Sequence, residues 1–201
     1  MLMKEHPGVR LRSGLAFDEV LDAARRGDSR AYRDLYDALA GRVCGYLAVH
    51  GASDPEDLTS EVFLRVFRRL ARFEGGEPQF RAWVFTIAHN VLLDDRRRRH
   101  VRVATSALEN DAFERLTGGD VEDEAMGNLR SDWVADVLAQ LSPDQQSVLT
   151  LRVVGDLTVE QVARVTGKPV GAVKALQRRG RATLRRHMVG LTASGEGTVA
   201  Q

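Results

Sequence analysis

Apolar residues recur at helical spacing in two blocks, from Phe17 to about Arg99 and from about Trp133 to Met188. Strand-like alternation is scarce along the chain, so the spacing predicts helices throughout both blocks. In the first block, Phe17 to Arg26 forms a short helix closed by Gly27. Asp28 or Ser29 then caps a second that turns Leu35, Leu39, Val43, Tyr46 and Leu47 inward. "GASDPEDLTSEVFLRVFRRL" restarts the chain with Asp54 as N-cap, Pro55 at the first helical position and acids in the first turn. Here Leu58, Val62, Val66 and Leu70 face a core. After the loop "EGGEPQ", the stretch "FRAWVFTIAHNVLLDDRRRR" supplies a fourth helix with a buried stripe of Phe80, Val84, Ile87, Ala88 and Val91.

The second block opens on "SPDQQ", with Ser142 as cap, Pro143 at N1 and Gln145 as the reciprocal partner of a capping box. "TVEQ" at 158–161 repeats that box and starts a short helix through Val165. "TGK" makes a tight turn, and Pro169 begins another helix. Two helices joined by so short a Gly-containing turn have helix-turn-helix spacing. Between the blocks the chain is acidic and contains "TGGD", which reads as a mobile linker. The expected organisation is all-α. A tail at 1–14 precedes a helical domain at 15–99, a flexible acidic linker at 100–131, a second small helical domain at 132–189 and a disordered tail at 190–201.

The net charge of +1 over 201 residues conceals strong segregation. Glu109, Asp111, Glu114, Asp120, Glu122, Asp123 and Glu124 crowd the linker, whereas Lys168, Lys174, Arg178, Arg179, Arg181, Arg185 and Arg186 follow the turn with no acid among them. That asymmetry points to nucleic acid more strongly than the total does. In the last helix Val170, Val173 and Leu176 share the inward face, while Lys174, Gln177, Arg178 and Arg181 lie towards the other. A helical bundle with a basic surface is the bland alternative, but turn spacing with one-sided charge favours duplex DNA.

Two further faces carry candidate chemistry. Trp83, Asn90 and Arg97 recur every seventh residue, with Thr86 and Asp94 beside them and Arg96, Arg97, Arg98 and Arg99 in succession. An aromatic ring, an amide and a guanidinium in one row suit an unpaired base and its phosphate, although Trp83 alone would serve as well in the core. Asp57, Glu61, Leu64 and Arg68, with Arg65 at the edge, form a mixed-charge stripe. Such a stripe is either a solvated face or a docking surface for a partner helix.

Enzyme chemistry finds little support. His6, His50, His89, His100 and His187 are scattered, and none joins Cys44 or a carboxylate at metal-ligand spacing. No catalytic residue, metal or cofactor is expected. Cys44 stands alone, which suits a reducing compartment and a small buried side chain. "MLMKEHPGVRLR" lacks the apolar run of a signal peptide, and no membrane span is evident, so a soluble cytoplasmic protein is expected.

Taken in order, "DPEDLTSEVFLRVFRRLARF", "FRAWVFTIAHNVLLDDRRRR", an acidic linker and "LSPDQQSVLTLRVVGDLTVEQVARVTGKPVGAVKALQRRGRATLRRHM" resemble the extracytoplasmic-function sigma factors of bacterial RNA polymerase. The resemblance covers nearly everything from Phe17 to Met188. It implies a sigma region 2 bundle and a sigma region 4 helix-turn-helix, with the linker threading the polymerase cleft. Asp57, Glu61, Leu64, Arg65 and Arg68 would dock on the beta-prime clamp helices of core polymerase, with the beta subunit as a further contact. Trp83, Asn90, Asp94, Arg96, Arg97 and Arg98, with the loop from Glu74 to Gln79, would engage the −10 element. Lys174, Gln177, Arg178, Arg179 and Arg181 would meet the −35 element. The family also admits an anti-sigma factor as a partner.

The chain departs from the family pattern at Ser60, where Gln is usual. It departs again in "AVKALQRRGR", where "TVKSRLHRAR" is common, so Lys174, Arg179 and Arg181 carry over most directly. A stand-alone helix-turn-helix regulator and a nucleic-acid-processing enzyme are the competing readings. The first leaves residues 54–99 without a role, and the second lacks a reactive cluster.

Overall fold

The computed structural model describes residues 16–109 and 137–195, with side chains through Val101 in the first segment and through His187 in the second. The first segment holds α1 (Phe17–Arg25), α2 (Ser29–Val49), α3 (Pro55–Arg69), a 3-10 turn (Leu70–Arg72) and α4 (Glu77–Glu109). The second holds α5 (Pro143–Val153), α6 (Val159–Thr166) and α7 (Val170–Gly195).

Local chemistry accounts for most helix starts. Asp28 accepts hydrogen bonds from the amides of Arg30 and Ala31, and Asp54 accepts one from Asp57, each satisfying amides that a helix leaves unpaired at its N-terminus. Ser142 with Gln145, and Thr158 with Gln161, close full capping boxes. Gly167, at φ 67°, ends α6 in the left-handed conformation that glycine adopts without steric penalty, and Lys168 N–H closes the turn on the Ala163 carbonyl at 3.1 Å.

The predicted stripes are buried. Leu35, Leu39, Val43, Tyr46 and Leu47 of α2 pack with Leu58, Val62, Phe63 and Val66 of α3 and Phe80, Val84, Ile87, Ala88 and Val91 of α4. Along α4, however, a second row is also buried: Arg81, Phe85, Ala88 and Leu92 follow one another at helical spacing. The reason is that α6 lies against α4, and α6 packs in turn on α5 and α7. Val148, Leu151, Leu157, Val162, Val173 and Leu176 thereby join the residues of the first segment in one continuous core.

Two boundaries differ from expectation. The α4 backbone does not stop at Arg99 but continues to Glu109, because "HVRVATSALE" contains no glycine or proline to interrupt the hydrogen-bond ladder. α7 likewise continues past Gly190 to Gly195, since a lone glycine weakens a helix without ending it. The remaining linker positions, the N-terminal tail at 1–14 and the last residues of the C-terminal tail lie outside the described residues. Val170, expected inward, is 37% exposed.

Candidate nucleic-acid interface and docking face

The stripe on α3 is a genuine surface. Asp57, Leu64 and Arg68 are exposed, and Leu64 is 56% accessible despite being the only apolar member. Glu61 is half-buried because it is held from two sides. Arg65 donates to its Oε1 from one turn on, and Arg98 of α4 reaches Oε2 at 3.7 Å.

On α4, Asn90 is exposed and Arg97 is 76% exposed on the same side, so this part of the seven-residue row is open to solvent. Trp83 belongs partly to the interior: its ring stacks on Phe73 at 4.9 Å and leans on Phe80 at 5.9 Å. The arginine block divides by function in the fold. Arg96 donates to the His50 carbonyl at 2.6 Å and Arg99 to the Gly51 carbonyl at 2.8 Å, so both answer the C-terminal end of α2. Arg97 and Arg98 point outward beside Asp94, which lies 3.4 Å from Arg97 and 3.6 Å from Arg65.

Asp95, the sequence neighbour of the half-exposed Asp94, is buried. It accepts from the Ser53 hydroxyl at 2.7 Å and the Ser53 amide at 3.3 Å, and it pairs with Arg99 at 2.9 Å. Burial pushes its carboxyl up, but those Ser53 and Arg99 contacts outweigh burial and hold it below the usual range. Asp95 therefore ties the α2–α3 turn to α4.

The basic face of α7 remains accessible. Lys174, Gln177, Arg178, Arg181, Ala182 and Arg185 line a shallow concavity of about 410 Å³, and Arg179 is exposed beside it. Val173 and Leu176 anchor the opposite side of the helix in the core. Gly180 lets α7 approach α5, since a Cβ there would fall 2.8 Å from Leu149 Cδ1. The helix thus presents fixed cations from a rigid base, which suits phosphate and base-edge contacts in a groove.

This architecture has known relatives. The model of sigma-70 region 2 matches residues 29–102, and that of sigma-70 region 4 matches residues 131–184. The chain belongs to the sigma-70 family. The chain is 37% identical to the ECF RNA polymerase sigma factor BldN of Streptomyces coelicolor, over 84% of this chain and 64% of that relative's length. In fold, it is similar to CnrH, solved in complex with the cytosolic domain of CnrY, with a TM-score of 0.62, 23% identity, and coverage of 88% of this chain and 99% of that one. It is similar also to the sigma factor RpoE of Bartonella quintana, solved with the anti-sigma factor NepR, with a TM-score of 0.58, 21% identity, and coverage of 77% and 94%. These relationships place the chain among the extracytoplasmic-function sigma factors, an all-α group of non-enzymatic initiation factors. Among the described residues, no helix is long and apolar enough to cross a membrane.

Sequence reasoning missed a polar seam between the two sigma regions. Arg81, on the second row of α4, pairs with Asp156 of the α5–α6 turn at 2.7 Å and has only 4% of its side chain exposed. Gln161 Nε2 donates to the Pro78 carbonyl at 2.9 Å, and Gln146 Nε2 donates to the Val49 carbonyl at 3.0 Å. His50 meets Thr150 at 2.8 Å. Because the Thr150 hydroxyl donates to Gln146 O, its oxygen accepts from His50 Nε2, leaving Nδ1 unprotonated and without a hydrogen-bond partner among the described residues. Burial, with Arg96 and His89 nearby, pushes the His50 imidazole down to about 4. The same burial, with Arg96 and Lys168, lowers His89, whose Nδ1 shares a 2.8 Å hydrogen bond with Tyr46. The visible signal was an α4 that is apolar around too much of its circumference for a helix with one buried face.

Proposed function

We propose that this sigma factor binds core RNA polymerase through the α3 face and directs it to promoters by two DNA surfaces, α4 for the −10 element and α7 for the −35 element. The observation that carries the reading is the placement of two outward basic surfaces on different sigma regions of one chain, with an exposed leucine stripe beside the first. Leu64 with its flanking charges suits the beta-prime clamp helices, because an exposed apolar anchor within a charged rim is what a partner helix buries. On α4, Asn90 and Arg97 meet an unpaired base and its backbone, with Trp83 completing the pocket wall and Asp94, Arg96 and Arg98 setting its charge. On α7, Lys174, Gln177, Arg178, Arg179 and Arg181 hold duplex DNA.

The chain acts without catalytic residues or a cofactor of its own, in the cytoplasm, and the beta subunit contributes further contacts. An anti-sigma factor is proposed as a partner, supported by the solved RpoE relative, which was determined with one. The domain boundaries proposed on this basis follow α4 to its end rather than stopping at Arg99. Run-off transcription with core polymerase over a promoter library tests the function directly. Defined start sites that need both elements support it, whereas a protein that binds duplex without recruiting core would be a stand-alone helix-turn-helix regulator.

A further inference from the structure

The segment from Glu74 to Gln79, read as part of the −10 surface, runs between two anchored points. Phe73, which precedes it, is buried in extended conformation at φ −74° and ψ 132°. Its ring stacks on Trp83 at 4.9 Å and meets Phe80 edge-on at 5.5 Å. Glu77 then opens α4. Glu74, Gly75 and Gly76 alone bridge the two, and Gly75 turns the chain at φ 127°, a conformation that glycine adopts without a Cβ penalty. So short a bridge takes its direction from the peptide plane at which it starts, the one between Phe73 and Glu74.

That plane is held by α1. Arg25 Nη2 donates to the Phe73 carbonyl, 48 residues away in sequence. Asp22, one turn back, orients the guanidinium by accepting from Nη1 at 2.9 Å. In the last turn of a helix an arginine ordinarily answers the carbonyls of its own helix. Here its Nη2 reaches across to a carbonyl that stands outside any helix. A charge-assisted hydrogen bond is the stronger kind of restraint on such a plane. The same helix backs the bridge further on, since Asp18 Oδ1 lies 3.8 Å from where a Cβ would stand at Gly76. Phe17, at the start of α1, leans on Phe80 at 5.4 Å.

We infer that Arg25 of α1 is a positioning residue for the −10 site: by fixing the Phe73 carbonyl it sets the direction of the Glu74–Gly76 bridge, and with it which unpaired base the protein accepts. The inference rests on the proposed reading of α4 and the loop before it as the −10 surface. Arg25 touches no DNA in this scheme. It acts through Phe73, whose ring supports Trp83 while its carbonyl aims the bridge. A base is told from its rivals by groups placed around its edge, whereas phosphate contacts hold the strand whatever its sequence. Displacing the bridge misplaces the first set and leaves Arg97 and Arg98 as they are. The loss is therefore one of selectivity more than of affinity.

The experiment compares Arg25→Met, which keeps an apolar stem and removes the donor, with Arg25→Lys, which keeps one charged donor. Asp22→Asn leaves the arginine in place and removes the charge that orients it. Each full-length protein is assembled with core polymerase. Affinity for single-stranded −10 oligonucleotides, with each of the four bases in turn at every position, is read by fluorescence anisotropy beside the thermal midpoint of the free protein. Wild type is expected to prefer one base at one position by about tenfold or more. Arg25→Met should flatten that preference to within about twofold while the affinity averaged over the four bases changes by less than about threefold. Arg25→Lys should restore most of the preference, and Asp22→Asn should flatten it part-way. A merely structural arginine would lower the midpoint and weaken all four bases alike. Uniform weakening, a loss that Arg25→Lys does not restore, or a preference that Arg25→Met leaves intact overturns the positioning role and leaves the −10 reading standing. Should Arg25→Met fail to fold, an intact preference in Asp22→Asn overturns it equally. Wild-type holoenzyme without a base preference at any position would overturn the −10 reading itself.

Discussion

Arg98 of α4 lies 3.7 Å from Glu61 of α3, so a residue assigned to DNA and a residue assigned to polymerase neutralise one another in the free protein. Arg65 joins them, bonding Glu61 and lying 3.6 Å from Asp94. The proposed docking face and the proposed −10 face are thus neighbours sharing one charge cluster. Its pairs are partly solvated, so each contributes little to stability, on the order of 0–1 kcal/mol. Their weight lies in what becomes free when one partner is recruited elsewhere.

Glu61→Gln is expected to release Arg98 and raise the affinity of the free protein for single-stranded −10 DNA by about two- to fivefold at low salt, an advantage that screening removes at high salt. Asp57→Lys lies on the same helix but away from the Arg98 pair, and it should leave that affinity unchanged or raise it only slightly. Both variants should weaken co-purification with core polymerase. Fluorescence anisotropy over a salt series, run beside a pull-down, separates the two effects.

Replacing Arg178, Arg179 and Arg181 with alanine should weaken recruitment to duplex promoter and flatten its salt dependence, by roughly one unit of slope for each phosphate no longer neutralised. Helicity should persist, because all three are exposed and the helix is anchored by Val173 and Leu176. On a template already melted at its −10 element, the variant should recover much of its activity. Equal impairment on both templates would show that α7 is not the duplex reader.

Asn90→Ala should slow promoter melting by tenfold or more, matching the roughly 1–3 kcal/mol that one unpaired base supplies when it is held by a side chain. Closed-complex binding should be largely retained. Asn90 is exposed, so the thermal midpoint of the variant should not move. Trp83→Ala should differ by lowering that midpoint, since the ring packs on Phe73 and Phe80. Permanganate reactivity of promoter thymines, read with thermal unfolding, distinguishes a DNA-binding residue from a packing one.

Stability should fall on acidification from about pH 6.5 to about pH 4. His50 is neutral when folded but takes up a proton near pH 6.5 once unfolded. The unfolded state therefore binds more protons throughout that interval, and stability present above it is lost as the pH falls. Protonation would set a cation beside Arg96 and His89 from α4, within 4.5 Å of the Tyr46 ring from α2, facing the Thr150 hydroxyl from α5. The lowered His89 acts in the same direction, and the lowered Asp95 extends the loss to lower pH, below about 3.8. Denaturant titrations should show a loss on the order of 2–3 kcal/mol from His50, and His50→Gln should flatten the slope.

The legible parts of the fold were those settled within a few residues. Asp54, Ser142 and Thr158 declare their helix starts because each cap bonds the amide three positions on. The core stripes declared themselves through helical spacing. Leu64 and Asn90 were likewise legible as surface positions. What escaped depends on pairings remote in sequence. Arg81 and Asp156 are 75 residues apart, and nothing local marks the arginine as buried. Arg96 and Arg98 are alike in kind and nearly adjacent in sequence, yet one answers a helix end and the other an acid on α3. A run of identical residues carries no sign of which member the fold will use.

Gly180 sets a rule for anyone altering promoter choice in this protein. The outward residues of α7 are exchanged most safely with Gly180 kept, because a Cβ there would fall 2.8 Å from Leu149 Cδ1 and something must shift to admit it. A graft that imports the outward residues of another sigma factor but places a side chain at position 180 would tilt the helix or displace Leu149. A tilt changes the angle at which every transplanted side chain meets the groove, whereas a shift of the Leu149 side chain leaves the helix in place. Selectivity in such chimeras would then follow the packing of α7 on α5 as much as the identity of the residues facing DNA.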